Sequence, residues 1–308
     1  MITEQVYHHE VKDQTNLTYV WMEDQVIPFD ELIVSFNAER PELGYFEISV
    51  SVLKGEWSEW LAYAQWSSSF QKSFSHKGAA FGIDQDVVEV KSATGFRVRI
   101  KAKEGADLHH FHALHTSMYK GFEKKLPTGD SVYLEVKGLS QLAQNPKFAK
   151  RICAATSTTA AVSYLKQEPI DPVFFAMGAY DSSFDVFGNW VFNVARAYEM
   201  LGPGWRCFVQ RLGNFDGILK QLNQGIPVVV SVKGRLPKSH LPYDNGHLIA
   251  VIGYDAVTKQ VICMDPAYPK NEDTIVRYPI GAFLDVWSAR KGLAFLFIRI
   301  DTERDSSI

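Results

Sequence analysis

The sequence predicts an α+β protein in two parts, an all-β sandwich followed by helices packed on an antiparallel sheet, and three observations carry that expectation. Up to Lys137 the apolar residues fall in short, alternating, β-branched runs separated by turns. Beyond it, helix caps and apolar strands alternate. A chain of 308 residues also has room for two ordinary domains, at about 100 to 200 residues each. The expected division is therefore 1–137 and 138–308.

In the first part, residues 32–36, 45–52, 86–90 and 95–100 each read as a strand. Strands are expected to carry most of 25–120 as a sandwich, with Trp57, Trp60 and Trp66 at loops or strand ends. In the second part a helix opens at Cys153 in an Ala/Thr-rich run. Asn189 caps a helix over 190–201 that Gly202 closes, and Asn214 caps one over 215–224 that Gly225 closes. Strands follow at 227–232, 247–254, 260–264, 274–278 and 293–300, with an amphipathic helix at 280–289.

Composition excludes several classes of function. A formal charge of −3 with interspersed signs gives no basic stripe, so nucleic acid is not an expected partner. No apolar run approaches the roughly 20 residues of a membrane helix. Cys153, Cys207 and Cys263 lack the close spacing of a zinc knuckle or a redox pair. The N-terminus shows neither a basic nor an apolar leader region, which makes a reducing cytoplasm the default, or a secreted location if a leader has been trimmed. No cofactor is expected. The histidine-rich stretch 108–115 invites a metal reading, because His110 and His112 would share a strand face. With no adjacent Cys or carboxylate in the sequence, half-exposed strand histidines are the preferred reading, and no metal is expected.

The chemistry centres on Cys153. At a helix N-terminus the free amides and the helix dipole favour a thiolate. A thiol with a pKa near about 8.5 still needs a base, and His247, at the start of a strand, is the candidate. The imidazole in turn needs an acceptor that fixes its tautomer. Asp265 ends the next strand, and a hairpin centred near Ala256 would set 247 opposite 265. Gln141 and the Cys153 amide are the candidate oxyanion donors. Each residue also has a plainer use. A lone cysteine is usually a small core residue, the reading preferred for Cys207 and Cys263, and Asn189, Trp190 and Asn193 are expected chiefly to cap and pack a helix.

Several stretches carry a resemblance. They are Leu139-Ser140-Gln141, Ile152-Cys153-Ala154-Ala155-Thr156-Ser157, Gly188-Asn189-Trp190-Val191-Phe192-Asn193, Asn245-Gly246-His247-Leu248 and Asp265-Pro266-Ala267. Together they resemble the bacterial papain-like peptidases related to the bacteriocin-processing double-glycine leader peptidases. The resemblance runs from about residue 138 to the end. It implies a papain-like fold with Cys153 as nucleophile, His247 as base, Asp265 as orienting carboxylate and Gln141 as oxyanion donor. Asn189, Trp190 and Gly246 become candidate substrate contacts. The part before it resembles the β-domain that precedes the peptidase in some of these proteins, notably at Ser35-Phe36-Asn37-Ala38 and Trp57-Ser58-Glu59-Trp60. One departure is Ala154-Ala155 where relatives commonly have Gly-Pro, which favours helix and removes a pre-set turn.

Two functions follow. The first is a cysteine peptidase or amidase that cleaves a peptide or amide bond through a thioester, with acyl transfer to an amine as the same chemistry on a second substrate. The alternative is a silent or regulatory papain-like module whose β-domain recognises peptide or glycan. Substrate specificity has no readable code, although the loop at 233–244, which leads straight into His247, is expected to border the site.

Overall fold

The alternating runs of the first part pair into antiparallel strands, and the computed structural model, which describes residues 5–12, 16–78 and 81–300, shows how they close. The strands are β1 (Gln5–Glu10), β2 (Thr18–Glu23), β3 (Phe29–Ala38), β4 (Tyr45–Lys54), β5 (Glu56–Trp57), β6 (Leu61–Ser67), β7 (Gln71–Lys77), β8 (Phe81–Gln85), β9 (Val87–Ala93), β10 (Gly95–Lys103) and β11 (Phe111–Met118). Their path runs β1-β11-β3-β9-β8-β7-β6-β4-β10-β2. The sheet bends back on itself, because one face of each strand is apolar and must find a partner. Phe36 of β3 and Phe111 of β11 meet Phe46 of β4 and Trp66 of β6 in the fold, with ring centroids 5.3–5.4 Å apart for Phe46–Phe111 and Phe36–Trp66.

The second sheet holds β12 (Val132–Tyr133), β13 (Trp205–Arg211), β14 (Val228–Gly234), β15 (Tyr243–Asp255), β16 (Gln260–Met264), β17 (Ile275–Pro279) and β18 (Leu293–Arg299). Its order is β13-β18-β14-β15-β16-β17, with β12 on β15. The helices are α1 (Cys153–Lys166), α2 (Pro172–Gly178), α3 (Trp190–Leu201), α4 (Asp216–Leu222) and α5 (Ile280–Ser288). α1 packs against α3 and across β14 and β15, while α3 also packs on β13 and β3. The whole is a sheet-rich α+β protein. Among the described residues no helix is long and apolar enough to cross a membrane.

Asn189 caps α3 as its sequence suggests, with Oδ1 accepting the Phe192 N–H at 2.9 Å, and Gly202 closes it at φ +85°. The helix expected over 215–224 is shorter, because Asn214 Oδ1 accepts from Asp216 N–H at 2.9 Å and so starts it at Asp216. β1, β2 and β12 lie outside the expected strands, and so do α2 and β13. α2 carries a legible start, since Asp171 caps it and Pro172 fills its first turn. β13 shows no comparable signal.

The outer edge of β13 is covered by side chains of the first sheet. Asn37 donates Nδ2–H to Cys207 O at 2.7 Å and accepts from Cys207 N–H at 3.2 Å through Oδ1. Ser35 Oγ accepts from Val209 N–H and Ser117 Oγ from Arg211 N–H, both at 3.0 Å. An exposed strand edge is a template for unwanted pairing, and here polar side chains two residues apart on β3 satisfy it. Replacing Asn37 by Ala should cost about 3 kcal/mol, since it orphans the buried Cys207 amide groups and the His115 Nε2 that Asn37 Oδ1 meets at 2.9 Å. Urea unfolding measures this; a loss below about 0.5 kcal/mol would show that the edge does not depend on it.

Candidate active site

α1 begins at Cys153 without a side-chain cap, so the first amides of the helix are left for another acceptor. The sulfur takes that place: the backbone amides of Ala154 and Leu248 and the His247 imidazole all favour its thiolate form. Burial pushes the thiol pKa up, and the hydrogen bond and positive charge of His247 outweigh it, holding the thiol below its ordinary value. Among the described residues Cys207 and Cys263 have no such partner. Burial drives both well above the ordinary thiol range.

His247 sits on β15 and is buried. Its Nε2 meets Asp265 Oδ1 at 2.9 Å, which leaves Nδ1 for the thiol. Burial disfavours the imidazolium, but the Asp265 charge and hydrogen bond, and then Cys153, reverse that and raise the pKa above the ordinary value. Asp265 is fully buried and still held below the usual carboxylate range. Burial is offset there by His247 and by the phenols of Tyr243 and Tyr278, which donate to Oδ2 at 2.5 and 2.7 Å. Oδ1 also accepts from Ala267 N–H at 3.0 Å.

The register differs from the sequence expectation. The β15–β16 turn lies at 256–259, after the Asp255–Gln260 pair, and an irregularity between Val251 and Gly253 leaves Ala250 opposite Met264. Position 247 is therefore not across from 265. The contact forms because the chain leaves β16 at Asp265, where its N–H donates to Thr274 O at 2.8 Å and the carboxylate turns back along β15.

Gln141 is buried on a loop tied to the Asp265 turn by its N–H, which donates to Pro266 O at 2.9 Å. Its Nε2 donates one proton to Ala149 O at 2.9 Å, while Oε1 has no partner among the described residues. Both ends of the Asn189 amide are engaged inside the protein, on Phe192 N–H and on Asp181 Oδ2 at 2.9 Å. Trp190 is half-buried at the start of α3, where its N–H donates to Asp86 Oδ2 of the β8–β9 turn at 2.8 Å. Gly246 lies at φ +94°, and a Cβ there would stand 3.7 Å from the Arg290 guanidinium. That backbone conformation suits glycine.

The loop at 235–242 between β14 and β15 is fastened to the Asp265 side of the site, with Tyr268 donating to Lys238 O at 2.6 Å. The histidine stretch divides: His110 lies in a 3₁₀ turn rather than on a strand with His112, and both face Glu39, at 3.0 and 3.8 Å. Among the described residues no group of three or more His, Cys, Asp or Glu is arranged to hold a metal.

Sequence reasoning missed Tyr243, Tyr278 and Arg290. Tyr243 carried no usable signal, since four residues of regular strand span about 13 Å; the two rings stack at 4.2 Å and 20° because the β14–β15 register shifts between Val232 and Gly234, where four steps on β15 face two on β14. Tyr278 and Arg290 reach the site from strands and turns that no local pattern links to it.

Helices laid on an antiparallel sheet, with a thiol presented at a helix start, make a scaffold of the cysteine-peptidase kind. The sequence model of the Peptidase_C39 like family matches residues 133–295, and the chain belongs to that family. It thus carries a C39-like cysteine peptidase domain. A search of curated proteins found no match to the chain.

Proposed function

We propose that the protein is a cysteine peptidase or amidase of papain-like arrangement, with Cys153, His247 and Asp265 as its triad and Gln141 as oxyanion donor. The single observation that carries this reading is that His247, whose Nε2 meets the buried Asp265 Oδ1 at 2.9 Å, lies beside Cys153 at the start of α1 so that thiolate and imidazolium stabilise one another. The thiolate attacks the carbonyl carbon, and the displaced electron pair collects on oxygen. The second Nε2 proton of Gln141 and a backbone N–H at Cys153 receive it. The His247 imidazolium gives its proton to the leaving nitrogen as the C–N bond breaks, and the thioester remains. Neutral His247 then takes a proton from water, whose attack releases the acid and restores the thiolate. The same acyl-enzyme could pass its acyl group to an amine.

The division of labour that goes with this reading sets residues 138–308 as the peptidase and 1–137 as an accessory β-domain. The substrate is a peptide or amide, as for the leader peptidases that the sequence resembles.

Brief iodoacetamide treatment of the native protein between pH 5 and 8, followed by mass spectrometry, tests it. The thiol lies below and the imidazole above its ordinary pKa, so the ion pair dominates between the two values. Cys153 should be alkylated below pH 7 while Cys207 and Cys263 are spared, and His247→Ala should abolish the selectivity. Equal reaction of the three thiols would sink the reading. Gln141→Ala should lower kcat by about 10²–10³ yet leave iodoacetamide reactivity nearly intact, because alkylation develops no oxyanion. A parallel loss of both would assign Gln141 to structure alone.

A further inference from the structure

Between the two halves of the chain lies an open cleft of about 340 Å³. The β8–β9 turn, with Asp84 and Asp86, forms one wall, and Gly188, Trp190 and Arg290 form the other. Arg290 connects it to the reactive groups. Its guanidinium packs on Gly246, the neighbour of His247, and its Nε donates to Ser231 Oγ at 3.0 Å. Ser231 is paired across the sheet with Leu248, whose amide contacts the Cys153 sulfur. The guanidinium carbon stands 5.3 Å from the Trp190 ring centroid.

The charge of Arg290 is what needs a partner. Among the described residues, the other deeply placed arginines have carboxylates: Arg211 has Glu31 at 2.9 Å, and Arg40 and Arg196 share Glu199 at 3.0 and 2.6 Å. Arg290 has a hydroxyl and a ring but no carboxylate, so burial lowers its pKa with no opposing charge. A half-buried guanidinium without an anion is costly unless a ligand supplies one. The wall does not neutralise it. Asp86 is committed to the Trp190 amide, and burial pushes its pKa up to about 7; Asp84 is exposed at the rim.

We propose that this cavity is a specificity subsite in which Arg290 pairs with an acidic side chain of the substrate, whose hydrocarbon part lies on Trp190, with the β8–β9 turn as its far wall. The subsite rests on the cysteine-peptidase reading. We assign it to the acyl half of the substrate, the half that stays bound through both chemical steps. The β-domain thereby helps to select the substrate.

Peptidyl acyloxymethyl ketones carrying Glu, Gln or Lys at each of the three positions before the reactive group test this on the full chain. The readout is the rate of Cys153 adduct formation by mass spectrometry, divided by the same variant's iodoacetamide rate so that thiol reactivity cancels. At one position the wild type should react about tenfold faster with Glu than with Gln. Arg290→Gln should bring that ratio to about one, Arg290→Lys should keep part of it, and Arg290→Glu should turn the preference to Lys. A packing defect common to the variants cannot produce such an inversion. No charge preference in the wild type, or one that survives in Arg290→Gln and Arg290→Glu, would overturn the subsite and leave the nucleophile standing. Failure of iodoacetamide to single out Cys153 would overturn both.

Discussion

His247→Ala should lower peptide turnover by at least about 10⁴, from the combined loss of nucleophile activation and general acid catalysis. Two functions disappear together. Burial pushes the pKa of the proposed nucleophile up and His247 supplies the largest opposing effects, so without the imidazole the thiol pKa rises and less thiolate remains at neutral pH. The leaving nitrogen also loses its proton source. The alkylation profile should shift to alkaline pH, and steady-state kinetics at pH 7 should show the fall in kcat/KM. Asp265→Asn should also be severe, at up to about 10⁴, because the amide NH2 can hold the imidazole in the wrong tautomer and the charge that favours the imidazolium is lost. If His247→Ala retained more than a tenth of the wild-type rate, another base would have to serve Cys153.

What could be read in the sequence was whatever is written locally. The caps at Asn189 and Gly202 mark α3 to the residue, and the apolar runs at 260–264 and 293–300 mark β16 and all of β18, the latter with one residue too many, because each depends on neighbours in the chain. Cys153 stood out because a helix start is a local event, whereas His247, expected to begin a strand, lies four residues inside β15, which starts at Tyr243. The pairing of His247 with Asp265 was anticipated, but by a direct register that the structure does not have. The turn at 256–259 lies past the expected centre at Ala256, and the irregularity between Val251 and Gly253 only partly restores the offset; neither has a signature in an alternating run.

The elements that escaped are those fixed from far away. β13 is held at its edge by Ser35, Asn37 and Ser117, about a hundred or more residues earlier in the chain. Asp86 supplies an acceptor to the start of α3 from a β-hairpin turn. These contacts explain why the two halves, distinct in texture, share a boundary at the proposed cleft. A carboxylate from one half ends up beside the helix start of the other, as the helix dipole favours.

Replacing Tyr243 and Tyr278 together by Phe should destabilise the protein by about 3–5 kcal/mol at pH 7, the second large effect. Asp265 is fully buried, and Oδ2 has those two phenols as its donors. Their removal strands half of a carboxylate in the interior, while the Tyr243 ring that stacks on His247 is kept as Phe. The sign of the pH dependence identifies the cause. In the wild type Asp265 has a depressed pKa, so it contributes stability above the unfolded value of about 3.9, lost as pH falls through the folded one. Without the phenols burial raises the folded pKa, and the double variant relieves its strain by taking up a proton as the pH drops. The gap in unfolding free energy between wild type and variant should therefore be widest near pH 7 and narrow toward pH 4, as measured by urea titration at both. A gap of constant size would mean that the hydroxyls act through packing, and that the carboxylate keeps its charge by His247 and the Ala267 amide alone.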